Sequence, residues 1–197
     1  MTRSRLAAVV RDAEACRLCA KELPHAPRPV LRVRVTARLL IVGQAPGTRV
    51  HASGMPFDDR SGDRLRDWLG IDRTIFYTHP AIAILPMGLC FPGQDARGGD
   101  LPPMKICAPT WHPVIRPLMP ALELTLLIGQ YAQAHYLKRQ RKTSLTATVR
   151  AWRDYAPDFL PLPHPSWRNT GWLKQNSWFA REVLPALRGH VARLLRG

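Results

Sequence analysis

Acidic residues are scarce in this sequence. Its 197 residues include 14 aspartates and glutamates against 29 lysines and arginines, which gives a formal net charge of +15. A positive excess of this size favours a polyanionic partner, and nucleic acid is the commonest polyanion. The alternative is a basic protein whose charge reflects only the composition bias of its proteome.

Long apolar runs are also missing. No window contains the roughly 18 uninterrupted apolar residues that a membrane-spanning helix needs. The basic start of the chain is followed by an apolar run that Arg11, Asp12 and Glu14 interrupt at once, so we expect no signal peptide. We therefore expect a cytoplasmic protein without a membrane partner, and nothing in the sequence indicates an obligate protein partner.

Internal repeats and a clear domain boundary are absent as well. The hydrophobic content of 46% is typical of a folded globular chain rather than a disordered one. The length suits one domain with a full core. We therefore expect a single domain over residues 1–197.

Four short apolar runs predict the strands of a sheet, at residues 38–42, 82–85, 124–129 and 159–162. Within the first, Leu39 to Val42 are continuously apolar without alternation, which indicates a strand buried on both faces, as in a parallel sheet. Helical patterns separate the runs. The predicted fold class is therefore α/β, a three-layer α/β/α domain with a four-stranded parallel central sheet.

The helical patterns are predicted at residues 3–20, 62–69, 113–122, 130–137, 145–155 and 172–195. Ser144 is expected to cap the helix that follows it, and the last helix is expected to break near Asn176 and Pro185. The remaining pieces are an exposed loop, a short extended segment and a long loop, at residues 48–60, 75–77 and 86–111. Loops as long as the last one, without regular structure, are usually functional.

Two polar turns directly follow predicted strands. Gly43-Gln44-Ala45-Pro46-Gly47 ends the first strand, and His164-Pro165-Ser166 follows the fourth. Ligands of open α/β sheets bind beyond the carboxyl ends of the strands, and glycines there let backbone N–H groups approach closely. The alternative interpretations are an ordinary strand exit and a histidine that serves only the turn.

A third segment lies between these turns and carries a phenylalanine, Gly54-Met55-Pro56-Phe57-Asp58-Asp59-Arg60-Ser61-Gly62. The two turns resemble the active-site motifs of the uracil-DNA glycosylase superfamily, and the third segment resembles the Gly-x-Pro-Phe…Gly segment of its iron–sulfur class. The resemblance covers about residues 10–190 when the cysteines are included. It implies the same fold class and a monofunctional DNA repair enzyme. Such an enzyme flips uracil out of DNA and hydrolyses the N-glycosidic bond, leaving an abasic site.

The resemblance also implies roles for individual residues. His164 would stabilise the negative charge that develops on uracil, and Gln44 would be the second catalytic residue, positioning water through its amide. Phe57 would stack on the flipped base. The other residues expected to bind the substrate are Gly43, Ala45, Pro46, Gly47, Ser166 and Asn169. The residues expected to contact the DNA, as base-stack wedges or phosphate ligands, are Trp167, Arg168, Arg60 and Lys174.

Three positions differ from the family pattern. Ala45 stands where the best-known members carry an aspartate that orients the water, and Gln44 replaces the glutamate of the iron–sulfur class. Asp58 or Asp59 is a candidate substitute. Pro86 falls where related enzymes read uracil with an asparagine. We therefore expect recognition through backbone groups or the asparagine of the second motif, and a broader choice of damaged bases.

Only four cysteines are present, and two of them form a close pair. Cys16 and Cys19 make a Cys-x-x-Cys, while Cys90 and Cys107 lie far along the chain. From the residues alone, they are ligands of zinc, ligands of an iron–sulfur cluster, or buried thiols without metal. The iron–sulfur class has cysteines at matching positions. The resemblance therefore implies a structural [4Fe–4S] cluster that ties the N-terminal helix to the long loop.

Two other functions are compatible with the sequence. The missing acid at Ala45 supports a catalytically silent DNA-binding protein of the same fold, which uracil excision in vitro would exclude. The second is a hydrolase of free nucleosides. The charge of +15 argues against that activity, and salt-sensitive binding to DNA would decide between them.

Overall fold

The computed structural model describes residues 2–196 of the chain. The strands of its sheet are β1 (Leu39–Val42), β2 (Ile82–Ile84), β3 (Leu124–Ile128) and β4 (Phe159–Leu162). They are all parallel and lie in the order β2-β1-β3-β4. In this register Ile41 pairs with Ile84 on one side and with Leu126 on the other. The predicted four-stranded parallel sheet is confirmed.

Helices cover both faces of this sheet. They are α1 (Thr2–Glu14), α2 (Thr48–Ser53), α3 (Arg60–Leu69), α4 (Arg73–Thr78), α5 (Cys107–Ile115), α6 (Gly129–Leu137), α7 (Leu145–Arg150), α8 (Thr170–Gln175) and α9 (Leu184–Arg196). Leu39 and Ile41 of β1 pack towards α3 and α9, while Leu40 and Val42 pack towards α1, α5 and α6. The three-layer α/β/α architecture is therefore confirmed. Within residues 2–196, every helix is too short or too polar to cross a membrane.

The helices that flank the cysteines have other bounds than predicted. α1 ends at Glu14 rather than at residue 20, and beyond it Leu18 is 59% exposed, so no apolar face continues. The first two cysteines consequently lie in turns. α5 begins at Cys107 rather than at Pro113, since Pro109 lies in the first turn, where a missing N–H costs no helical hydrogen bond.

Short helices replace two segments that were predicted without helix. α4 takes the place of the extended segment at residues 75–77, because the Asp72 carboxylate accepts a backbone N–H of the first turn at 2.7 Å and caps it. α2 lies inside the predicted loop at residues 48–60. The helix predicted after that loop is confirmed as α3, which Asp59 caps through the N–H of Gly62 at 2.8 Å.

The C-terminal third follows the prediction more closely. Ser144 caps α7 as predicted, although the α-helix ends at Arg150 and a 3-10 turn continues to Tyr155. The break near Asn176 is confirmed between α8 and the next helical segment. Pro185 does not break the chain into two helices. It lies at the junction between a π-helical turn (Phe179–Val183) and α9.

Both edges of the sheet are partly protected against pairing with another strand. Outside β2, Arg32 forms an antiparallel bridge with Ile84, with N–H···O distances of 2.8 and 2.6 Å. At the other edge, β4 contains Pro161, whose nitrogen carries no hydrogen.

Candidate active site

Three segments meet beyond the carboxyl ends of the strands. The loop after β1, the segment before α3 and the loop after β4 enclose a cavity of about 590 Å³, its open side included. The predicted residues that line it are Gly43, Gln44, Ala45, Pro46, Gly47, Phe57, Asp59, His164 and Ser166. The structure therefore brings the three sequence motifs together.

The loop after β1 is fixed by its backbone. The carbonyl oxygens of Gly43 and Gln44 accept the N–H groups of Met87 and Gly88, both at 2.9 Å, which joins this loop to the segment after β2. The side-chain amide of Gln44 donates to the carbonyl oxygen of Leu101 at 3.0 Å. The Gln44 side chain is thus engaged with the protein.

His164 has one free ring nitrogen in the cavity. Its Nδ1 accepts the N–H of Ser166 at 3.2 Å, and the side-chain amide of Asn169 donates to the His164 carbonyl oxygen at 2.7 Å. A backbone N–H can only donate, so the proton of the neutral ring lies on Nε2. Among residues 2–196, nothing hydrogen-bonds to Nε2. Burial lowers the pKa of His164, against an opposing effect of Asp59, and the ring is neutral at neutral pH.

Phe57 covers the loop after β1. Its ring lies so close to Gly43 that a Cβ there would stand 3.0 Å from Cζ, and Phe76 supports the ring edge-on with 6.2 Å between centroids. The backbone of Phe57 has a positive φ of 58°. Its carbonyl oxygen lies where a Cβ on Gly62 would come within 1.8 Å. Only glycine at position 62 permits this approach.

The two acids after Phe57 have different surroundings. Asp58 forms an ion pair with Arg73 at 2.8 Å and does not line the cavity. The hydrogen bond from Arg73 lowers the pKa of the Asp58 carboxyl. Asp59 does line the cavity, but one of its oxygens caps α3. Of the two candidates for a missing acid, only Asp59 is at the site.

Asp100 also lines the cavity, and the sequence analysis did not single it out. It belongs to a turn that we call the 93–101 hairpin, closed by the N–H of Leu101 on the Gly93 carbonyl at 3.0 Å and by a bridge between Gln94 and Asp100. The sequence feature that could have pointed to Asp100 was its position in the long loop at residues 86–111, which was expected to be functional. Nothing in the sequence indicated that this part of the loop would reach the site.

Pro86 forms part of the cavity wall, and a buried chain of hydrogen bonds holds its carbonyl oxygen. Nε2 of His112 donates to the Pro86 carbonyl oxygen at 3.0 Å, and Nδ1 accepts from the Tyr136 hydroxyl at 2.7 Å. The tautomer follows because a carbonyl oxygen can only accept. Burial lowers the pKa of His112 to about 4, so the ring is neutral. The sequence analysis missed this histidine, which supports the wall from behind.

The loop after β4 carries exposed residues that were expected to contact DNA. Trp167 is 65% exposed. The Arg168 guanidinium lies 5.2 Å from the centre of the Trp167 ring and donates to the backbone of the 93–101 hairpin at 2.9 Å. Arg60 and Lys174 are exposed. Arg168 therefore has a structural contact besides any contact with DNA.

The four cysteines line a second, apolar cavity of about 340 Å³, its open side included. One of the sulfurs has a backbone donor: the N–H of Leu89 lies 3.2 Å from Sγ of Cys107. Burial raises the pKa of Cys90 to about 11 and that of Cys107 to about 12. Without metal these two side chains are neutral thiols rather than reactive thiolates.

Four thiolates are a ligand set that both zinc and an iron–sulfur cluster can take. Over residues 2–196, no group of three or more histidine, cysteine or acidic side chains is arranged to hold a metal ion. Zinc bonds sulfur at about 2.3 Å, which requires sulfurs roughly 3.8 Å apart. A [4Fe–4S] cluster takes one thiolate on each iron, so its sulfurs lie farther apart around a larger space, and N–H donors to sulfur tune it.

A protein-family model matches most of the chain. The model, described as Uracil DNA glycosylase superfamily, covers residues 32–188. The matched part contains all four strands and every residue that lines the first cavity except Val30. It begins after Cys16 and Cys19.

Proposed function

Because the chain belongs to the uracil DNA glycosylase superfamily, we propose that it excises uracil from DNA by hydrolysing the N-glycosidic bond. Membership supports a glycosylase-type function in DNA repair, with DNA as the partner. The choice of uracil rests on the site. The observation that carries it is the free Nε2–H of neutral His164, in one cavity with Phe57 and the loop after β1.

Cleavage of the glycosidic bond needs a hydrogen-bond donor at the atom where negative charge develops. When the bond between C1′ and N1 breaks, its electron pair stays on the base, and a carbonyl oxygen of uracil gains charge. The Nε2–H of His164 would donate to that oxygen, held in place by Ser166 and Asn169. Removing one such preorganised donor typically costs about 10²–10³ in rate.

Access to the cavity requires the base to leave the duplex. Phe57 would stack on the extruded base, and exposed Trp167 would fill the gap in the base stack. Arg60 and Lys174 would bind phosphates, which fixes the position of the protein without reading the sequence.

Base selection would be broader than uracil alone. Pro86 contributes a backbone carbonyl but no side-chain amide, and the amide nitrogen of Asn169 is engaged by His164. Reading would therefore depend largely on backbone groups of the wall, which other deaminated or oxidised bases can also satisfy.

We also propose that Cys16, Cys19, Cys90 and Cys107 hold a structural [4Fe–4S] cluster, which would place the protein near the iron–sulfur class. When bound, the cluster would supply a covalent link between the turns after α1 and the start of α5. It supplies nothing to the hydrolysis itself.

An oligonucleotide with a single uracil and a labelled 5′ end tests the function. After incubation, alkali cleaves the strand at abasic sites. We expect cleavage at the uracil position by the wild-type protein, and about 100-fold slower cleavage by His164→Ala. His190→Ala is the matched control, since His190 lies on α9 outside the cavity.

Two results would contradict parts of this proposal. Unchanged excision by His164→Ala would mean that another group stabilises the base. Salt-sensitive DNA binding without excision of any base would favour the catalytically silent DNA-binding protein, which the apolar side chain of Ala45 supports.

A further inference from the structure

Activating the attacking water calls for a group that accepts its proton, and the loop after β1 carries no carboxylate. Ala45 has no polar side chain, and Gln44 has an amide, which cannot act as a base and whose nitrogen donates to the carbonyl of Leu101. Asp58 is paired with Arg73 outside the cavity. The group must come from another part of the lining.

Two carboxylates line the cavity, those of Asp59 and Asp100. Asp59 uses one oxygen to cap α3. Asp100 directs Oδ2 at the loop after β1, since a Cβ on Gly47 would stand 3.1 Å from that oxygen. Asp100 thus reaches, from a different segment, the loop that lacks its own acid.

The 93–101 hairpin holds Asp100 in place. Nε2 of Gln94 donates to Oδ1 of Asp100 at 3.1 Å, and Arg168 donates to the Gly98 carbonyl at 2.9 Å. The Gln44 amide donates to the carbonyl oxygen of Leu101, the residue next to Asp100. Within the described part of the chain, nothing hydrogen-bonds to Oδ2. One oxygen of the carboxylate is therefore anchored and the other is free.

The surroundings of Asp100 strengthen the affinity of its carboxylate for a proton. Asp100 is exposed as a residue, yet its carboxyl is partly desolvated by the protein. This desolvation raises the pKa of Asp100, the hydrogen bond from Gln94 opposes the rise, and the charge of Asp59 adds to it. A general base works best when its pKa approaches the working pH.

We propose that Asp100 is the catalytic carboxylate that holds the attacking water and accepts its proton. The inference rests on the proposed function. The water oxygen bonds to C1′ while the C1′–N1 bond breaks, and the electron pair of that bond leaves with the base. The water proton passes to Oδ2 of Asp100 and then to solvent, from which the base anion takes a proton.

Single-turnover excision by Asp100→Asn tests the proposal. We expect the rate to fall by about 100-fold or more. Affinity for a uracil oligonucleotide with a 2′-fluorinated sugar, which resists hydrolysis, should change by less than about threefold. Asp100→Ala should regain part of its rate in sodium formate, compared with sodium chloride at equal concentration, because formate supplies the missing carboxylate.

Asp95→Asn controls for distortion of the hairpin. Asp95 is exposed outside the cavity and accepts the N–H groups of Arg97 and Gly99, both at 2.8 Å. We expect a smaller loss of rate and no formate rescue. Wild-type rates in Asp100→Asn, or equal losses in both variants without rescue, would overturn the role of Asp100 and leave the function intact. A wild-type protein that excises no uracil would overturn both.

Discussion

Gln44 donates its side-chain amide to the carbonyl oxygen of Leu101 at 3.0 Å, and the carbonyl oxygen of Asp100 lies 3.5 Å from the same nitrogen. Two carbonyl oxygens thus face one amide nitrogen, which carries two hydrogens. A glutamate at this position, as in the iron–sulfur class, would set a carboxylate against both oxygens. The amide of Gln44 is therefore complementary to the carbonyl oxygens at this end of the 93–101 hairpin.

Gln44→Glu is expected to lower excision by about tenfold or more, although it restores an acid to the first motif. Loss of the donor removes a hydrogen bond worth about 0.5–1.5 kcal/mol and sets a carboxylate against two carbonyl oxygens. Single-turnover rates measure the loss, and hydrogen exchange should show faster opening of residues 93–101. Faster excision by Gln44→Glu would contradict this complementarity.

Gly62→Ala is expected to destabilise the fold strongly, because its Cβ would collide with the Phe57 carbonyl oxygen. Gly189→Ala is the matched control. Nothing lies within 4 Å of a Cβ at Gly189 inside α9, so that variant should gain about 1 kcal/mol. Thermal denaturation measures both variants. Similar Tm values for the two would contradict the collision predicted at position 62.

His112 should make folding dependent on pH. Burial lowers its pKa from 6.5 to about 4, so between these values the unfolded chain binds a proton that the folded chain excludes. The stability contributed is complete above about pH 6.5 and is lost as the pH falls towards about 4. The shift corresponds to on the order of 3 kcal/mol.

Urea denaturation over this pH range measures the effect. His112→Gln should be less stable at neutral pH, and its free energy of unfolding should vary less with pH than that of the wild type. Other histidines with lowered pKa contribute to both proteins and cancel in the difference. His190→Gln should keep the wild-type slope, whereas equal slopes for wild type and His112→Gln would contradict the linkage.

Protein purified without oxygen is expected to be brown, with absorbance near about 400 nm and bound iron. Cys90→Ser should lose colour and iron together. Met104→Leu is the control, because Met104 lines the same cavity but is not one of the four proposed thiolate ligands. A colourless wild-type protein free of iron and zinc would rule out the cluster.

The strands and the loops that follow them were predictable because both signals are local. A continuous apolar run such as residues 39–42 suits a strand covered on both faces, and the observed β1 begins one residue later than the predicted strand at residues 38–42. The turns with His164 and Gln44 come directly after strands. Parallel strands place such turns at one edge of a sheet, so their meeting follows from topology.

The remaining site residues depend on the paths of loops, which local patterns do not determine. Asp100 reaches the cavity only because the 93–101 hairpin folds back on itself and is held by Gln44 and Arg168. His112 acts on Pro86 across 26 positions of sequence. Such contacts become visible only once the chain is folded.

The protected edges of the sheet affect whether protein molecules bound close together on DNA would pair through their strands. DNA gathers basic proteins to high local concentration, where exposed strand edges would pair between neighbouring molecules. Arg32 already occupies the hydrogen-bonding groups of Ile84 at one edge, and Pro161 offers no donor at the other. Crowding along a duplex therefore need not lead to aggregation by strand exchange.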